Sequence, residues 1–127
     1  MPTAQPNFTV DWSRLSIQGH CIIVYELRTY IAPEGRLDDI VNRFRTKTMD
    51  IFARHGIVVD GFWTVDDANE LIYLLHFDSA EAKEKAWTSF REDPEWIETR
   101  EVTEANGPIV DTIISKTMTA TEFSSMQ

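Results

Sequence analysis

The chain has 127 residues, and 43% of them are hydrophobic, the balance of one globular domain. Lys and Arg number 12 against 21 Asp and Glu, a net charge of −9, which argues against binding nucleic acid through its phosphates or docking on an anionic membrane. A single cysteine, Cys21, excludes an intrachain disulfide and a cysteine-based zinc site, and no apolar run is long enough to span a bilayer.

Residues 1–19 read as an N-terminal extension, with Pro2, Pro6 and Asn7 among isolated apolar residues such as Val10 and Trp12. Met1–Thr9 lacks the basic start and apolar core of a secretory signal, so a cytoplasmic location is expected. The folded domain is expected over residues 20–118, followed by a polar tail at 119–127.

Cys21–Tyr30 reads as a strand with two alternating sets. Ile23, Tyr25 and Leu27 form one, and Val24, Glu26, Arg28 and Tyr30 the other. Arg36–His55 reads as a helix, because Leu37, Ile40, Val41, Phe44, Thr48, Ile51 and Phe52 recur at helical spacing. Gly56 is placed to end it in the left-handed conformation. Ile57–Val65 and Glu70–Phe77 read as a hairpin, with Gly61 at a bulge. Asp78, with Glu81 three residues on, is expected to cap the next helix, and Pro94 to open a further helical piece. Glu95, Glu98, Glu101 and Glu104 form an acidic face expected to be solvated. Ile109–Lys116 reads as the last strand.

The order β-α-β-β-α-β predicts an α+β fold of ferredoxin-like type, a four-stranded antiparallel sheet with two helices on one face. The other sheet face is then apolar and uncovered, and a second sheet is the expected cover, giving a homodimeric α+β barrel. Charged residues are expected away from the helices. That places Ile23, Tyr25 and Leu27 under the helices, and Glu26, Arg28 and Tyr30 toward the barrel interior.

Val24-Tyr25-Glu26-Leu27-Arg28-Thr29-Tyr30, Ile51-Phe52-Ala53-Arg54-His55-Gly56-Ile57, Gly61-Phe62-Trp63-Thr64 and Asp93-Pro94-Glu95-Trp96 together resemble the NIPSNAP family over roughly Ile22–Met118. The resemblance implies a dimeric α+β barrel, and the family has no single established reaction. Two positions depart from its pattern. Tyr73-Leu74-Leu75 stands where members commonly carry His-Leu-Trp, and Met49 where many have proline.

Arg28, Asp60, Tyr73 and His76 are the candidate catalytic residues, the last three for proton transfer and Arg28 for developing negative charge. Glu26, Arg28, Tyr30, Trp63 and Tyr73 are the candidate ligand-binding set, a mix of charge and aromatic surface suited to a flat apolar or aromatic molecule. His20, His55 and His76 have no metal-ligand spacing, and there is no phosphate loop or dinucleotide fingerprint, so no metal or cofactor is expected. Two functions follow. One is a small metal- and nucleotide-independent enzyme acting on an aromatic or polyketide-like molecule in the barrel cavity. The other is a non-catalytic module that binds a small molecule or a protein.

Overall fold

In a computed structural model the structure describes residues 22–127, so the expected extension 1–19 lies outside the described residues. Strand β1, Val24–Ile31, is followed by helix α1, Leu37–Arg43. The helix runs through a π-helical segment, Phe44–Thr48, into α2, Met49–Arg54. Strands β2, Val58–Val65, and β3, Glu70–Phe77, form the hairpin. Helices α3, Ala80–Arg91, and α4, Pro94–Thr103, lead to the last strand, β4, Thr112–Met118. All pairings are antiparallel and the sheet order is β2-β3-β1-β4. This is the α+β ferredoxin-like arrangement, with β1 and β3 central and the helices on one face.

The first helical stretch holds together because its apolar positions face one way. Ile40, Phe44, Thr48, Ile51 and Phe52 are all buried. The π-helical segment widens the turn by one residue, with the Met49 N–H bonding the Phe44 carbonyl. Helical spacing alone does not reveal it, because the same side chains stay on the buried face. Gly56 ends the stretch at φ +71°, where its N–H meets the Ala53 carbonyl and the Ile57 N–H meets the Phe52 carbonyl. That pair of bonds satisfies carbonyls the helix leaves open and delivers buried Ile57 into the core.

Two boundaries differ from the expectation. The cap of α3 is Ser79, whose hydroxyl accepts the Ala82 N–H at 3.0 Å, because Ser79 and not Asp78 is the extended residue before the first turn. The last strand starts at Thr112, where pairing with β1 begins opposite Ile31. Ile109, expected in that strand, is fully buried in the connection before it. Asp93 and Pro94 open α4 as expected, with the Asp93 carboxylate accepting the Glu95 N–H at 2.7 Å.

The expected faces of β1 are reversed. Glu26, Arg28 and Tyr30 pair with Leu75, Tyr73 and Leu71, which are buried under the helices. Tyr25, Leu27 and Thr29 lie with Ile72, Leu74 and His76 on the open face. Glu26 and Arg28 can sit under helices because their polar atoms are partnered there, which removes most of the penalty for burying charge. The core gathers Tyr30, Phe44, Phe52, Tyr73, Trp87 and Phe90 with Ile40, Ile51 and Leu75. Beyond β4 the chain turns back over the open face, where Tyr25 Oη donates to the Gln127 carbonyl at 3.2 Å. Among the described residues no helix is long and apolar enough to cross a membrane.

Candidate functional site

Arg28 occupies the middle of a central strand, between Tyr73 on β3 and Ser115 on β4. Its Nε donates to Tyr73 Oη at 2.9 Å, Nη1 to Glu26 Oε2 at 2.9 Å and Nη2 to Tyr30 Oη at 3.3 Å. Tyr73 Oη in turn donates to Tyr30 Oη at 3.0 Å. Glu26 is closed off from the other side by Trp87 Nε1–H at 2.7 Å and Ser115 Oγ–H at 2.5 Å. The Arg28 guanidinium also lies 4.4 Å from the Trp87 ring centre, a cation–π contact.

The bonds leave a directed remainder. Arg28 has five N–H groups and uses three of them here. Tyr30 Oη accepts twice and keeps its own hydrogen to give. Burial alone raises the Glu26 carboxyl, but the hydrogen bonds from Ser115, Trp87 and Arg28 outweigh it, and the group is held below its ordinary range. Burial works against the Arg28 cation, and its tyrosine and Glu26 partners more than compensate, so it stays protonated. Burial pushes the Tyr73 phenol well above its ordinary value, aided by Tyr30 and opposed by Arg28. Tyr73 therefore acts at neutral pH as a neutral hydrogen-bonding group and not as a base.

This network forms the floor of a cavity of about 590 Å³ between the sheet and helices α3 and α4. The cavity is within the size range of sites for small organic molecules. Five cationic residues border it (Arg28, Arg43, Lys83, Arg91 and Arg100) against four carboxylates (Glu26, Glu84, Glu104 and Asp111). The lining thus carries one more cation than carboxylates, in a chain whose net charge is −9. Arg43 is a second cation at the cavity and is more deeply buried than Arg28. It bonds Thr103 Oγ1 at 3.1 Å and Glu104 Oε2 at 3.0 Å and lies 4.9 Å from the Trp96 ring centre, while its buried Nε has no partner.

Of the residues singled out in the sequence, Glu26, Arg28, Tyr30 and Tyr73 come together at this floor. They do so between sheet and helices, not in a space between two sheets. Asp60, Trp63 and His76 lie elsewhere. His76 Nδ1 is 2.9 Å from both Asp60 carboxylate oxygens, and His76 sits on the strand set opposite buried Tyr73 and Leu75. Trp63 pairs with Ile72 on the open face and is 55% exposed. The alternation of β3 separates Tyr73 from His76, since residues an odd number apart point to opposite faces. Sequence reasoning missed Trp87 as the partner of Glu26, and Arg43. Arg43's signal was its place beside Phe44 and three residues after Ile40, next to the buried face. Glu104, expected in a solvated row, is drawn inward by Arg43. Among the described residues no group of three or more His, Cys, Asp or Glu is placed to hold a metal.

The ferredoxin-like sheet with helices on one face is a fold shared by several solved structures. A NIPSNAP family protein of unknown function from Agrobacterium tumefaciens matches with a TM-score of 0.74 at 19% identity, over 85% of this chain and 96% of that one. An uncharacterised NIPSNAP-like domain protein from Burkholderia xenovorans matches with a TM-score of 0.72 at 17% identity, over 83% and 90%. More distant in fold is SnoaB, a cofactor-independent oxygenase from Streptomyces nogalater, with a TM-score of 0.57 at 16% identity over 84% and 99%. Among curated protein sequences none matches the chain. The NIPSNAP family profile matches residues 25–125, and the chain belongs to that family.

Proposed function

We propose that the cavity binds an acidic aromatic or polyketide-like small molecule and holds it as an oxyanion over Arg28 and Tyr30. The observation that carries this reading is the floor itself. A permanently charged guanidinium is fixed by three acceptors with N–H groups to spare, beside a tyrosine hydroxyl whose hydrogen is uncommitted. Trp87 and Trp96 line the same space and supply aromatic wall beside the two arginines. The fold's likeness to a cofactor-independent oxygenase supports an acidic ligand. Without a cofactor the electrons for oxygen chemistry come from the substrate, and an anion yields them more readily than its neutral form. Catalysis here would rest on stabilising developing negative charge, because Glu26 is engaged by three donors and held ionised, which makes it a weak base.

Alizarin is a direct probe, since its visible band moves to longer wavelength when a phenol ionises. Bound alizarin should ionise about one pH unit lower than free alizarin, the equivalent of about 1.4 kcal/mol in favour of the phenolate. Arg28→Met should remove that shift. Absence of any spectral change with protein in excess, or an unchanged shift in Arg28→Met, overturns the reading. Fading of the bound dye under oxygen, beyond one equivalent per protein, identifies an enzyme. A colour that persists identifies the alternative, a binding module.

The open sheet face supports a second copy of the chain as its cover. Leu27, Ile72, Leu74, Trp63 and Ile114 share it by register, and Trp63 and Ile114 are exposed. A homodimer formed there leaves each Arg28 cavity within its own protomer, on the far side of the sheet.

A further inference from the structure

A second cluster of reactive side chains lies away from the Arg28 cavity. His55 closes α2, Ser89 sits in the last turns of α3, and Asp93 caps α4. His55 Nε2 is 2.6 Å from Asp93 Oδ2, and His55 Nδ1 hydrogen-bonds Ser89 Oγ. The Asp93 carboxylate also accepts from Arg54 Nη2 at 2.8 Å and from the Glu95 N–H at 2.7 Å, so it is held in place from the end of α2 and the start of α4. A carboxylate only accepts, so in the neutral ring the proton sits on Nε2. Nδ1 is then left to accept the Ser89 hydroxyl. Nucleophile, base and orienting carboxylate are thus in hydrogen-bonded order, with the two ring nitrogens exchanged relative to the common triad.

The cluster opens on its own cavity of about 440 Å³. Val58, Phe77 and Ala86 supply apolar wall there, Lys85 and Arg54 supply positive charge, and Asp78 adds a carboxylate. Lys85 lies four residues before Ser89, hence on the same face of α3.

We propose that Ser89, His55 and Asp93 form a second site, one that transfers acyl groups from small esters of short aliphatic acids. Ser89 Oγ attacks the ester carbonyl carbon as His55 Nδ1 takes its proton. The carbonyl oxygen carries the negative charge, with Lys85 as the cation bordering it, since Arg54 is paired with Asp93 and Glu95. The carbonyl re-forms, the ester C–O bond breaks, and His55 returns the proton to the departing alcohol. Water then attacks the acyl-serine, again giving its proton to His55, and the carboxylic acid leaves as Ser89 recovers its hydrogen. The sum is ester plus water giving acid plus alcohol. Asp93 is a positioning residue in this scheme, since it touches only His55.

Phenylmethylsulfonyl fluoride and p-nitrophenyl acetate test it on the full chain. The wild-type protein should be sulfonylated at Ser89, read by peptide mass mapping of folded material. Ser89→Ala should hydrolyse p-nitrophenyl acetate more slowly than wild type by about a hundredfold or more, because losing the nucleophile also loses the step that His55 assists. Asp93→Asn keeps a capping side chain and should lower kcat with KM unchanged, which a purely structural role does not predict. Unmodified Ser89 in the folded wild-type protein overturns the site, as does a Ser89→Ala protein that hydrolyses the ester at the wild-type rate. Because the two cavities are separate, alizarin binding is expected to survive Ser89→Ala.

Discussion

Glu26 and Arg28 are two residues apart on one strand, and their energetics are coupled. Arg28→Met alone leaves the 2%-exposed Glu26 carboxylate without its cation, and urea unfolding should show a loss of about 3–5 kcal/mol. Pairing it with Glu26→Gln removes the stranded charge, so the double variant should recover most of that loss while still failing to bind alizarin. A double variant that regains stability and still shifts the alizarin band would mean the network serves the fold alone. A pH dependence follows from the same chemistry. The Glu26 carboxyl is lowered from an ordinary 4.5, and Asp93 is lowered chiefly by its hydrogen bond to His55 and by Arg54. Both therefore bind protons more weakly folded than unfolded. Their stabilisation is fully present above about pH 5 and is lost as pH falls through the folded-state values. Melting temperature should decline from about pH 5 to pH 3, and Glu26→Gln should make that decline shallower.

Among the elements, α3 depends on one side-chain cap. Ser79→Ala removes the acceptor for the Ala82 N–H and should cost about 1 kcal/mol, measurable by thermal or urea unfolding. Asp78→Ala should cost much less, since Asp78 does not cap. In β2 the ladder slips between Val59 and Gly61, and an added Cβ at Gly61 would meet the Trp63 indole at 2.7 Å. The indole is half exposed and free to move, so Gly61→Ala should shift tryptophan fluorescence with little change in melting temperature. A large loss of stability there would show instead that the indole is held in place. At this scale the sequence was legible where one signal governs, as at Gly56 and Pro94. It was ambiguous where neighbours compete for one role, as Asp78 and Ser79 do for the cap.

The whole molecule presents one sheet face to helices and one without a helical cover. The proposed homodimer predicts that Ile72→Asp, on the open face, yields a monomer by sedimentation velocity at micromolar concentration, with the fold retained by circular dichroism. A wild-type protein that sediments as a monomer at that concentration removes the proposal. Val24→Asp is not a substitute, because Val24 pairs with buried Phe77 on the helix side and would damage the core.

The sequence by itself determined the element order, the ferredoxin-like class and the family. Those rest on local periodicity, turn residues and motifs that a single chain carries in order. The grouping of four of the seven candidate residues was also within its reach, because Glu26, Arg28 and Tyr30 share a strand face and Tyr73 lies opposite Arg28. Only the tertiary structure decided which face that was. Alternation says which residues go together but not which way they point, and the rule that charge avoids the helices failed where Trp87 and Ser115 satisfied Glu26. The Ser89, His55 and Asp93 cluster was likewise beyond sequence reading, because His55 at the end of α2 meets the α3–α4 junction, more than thirty residues on, only when the helices pack together.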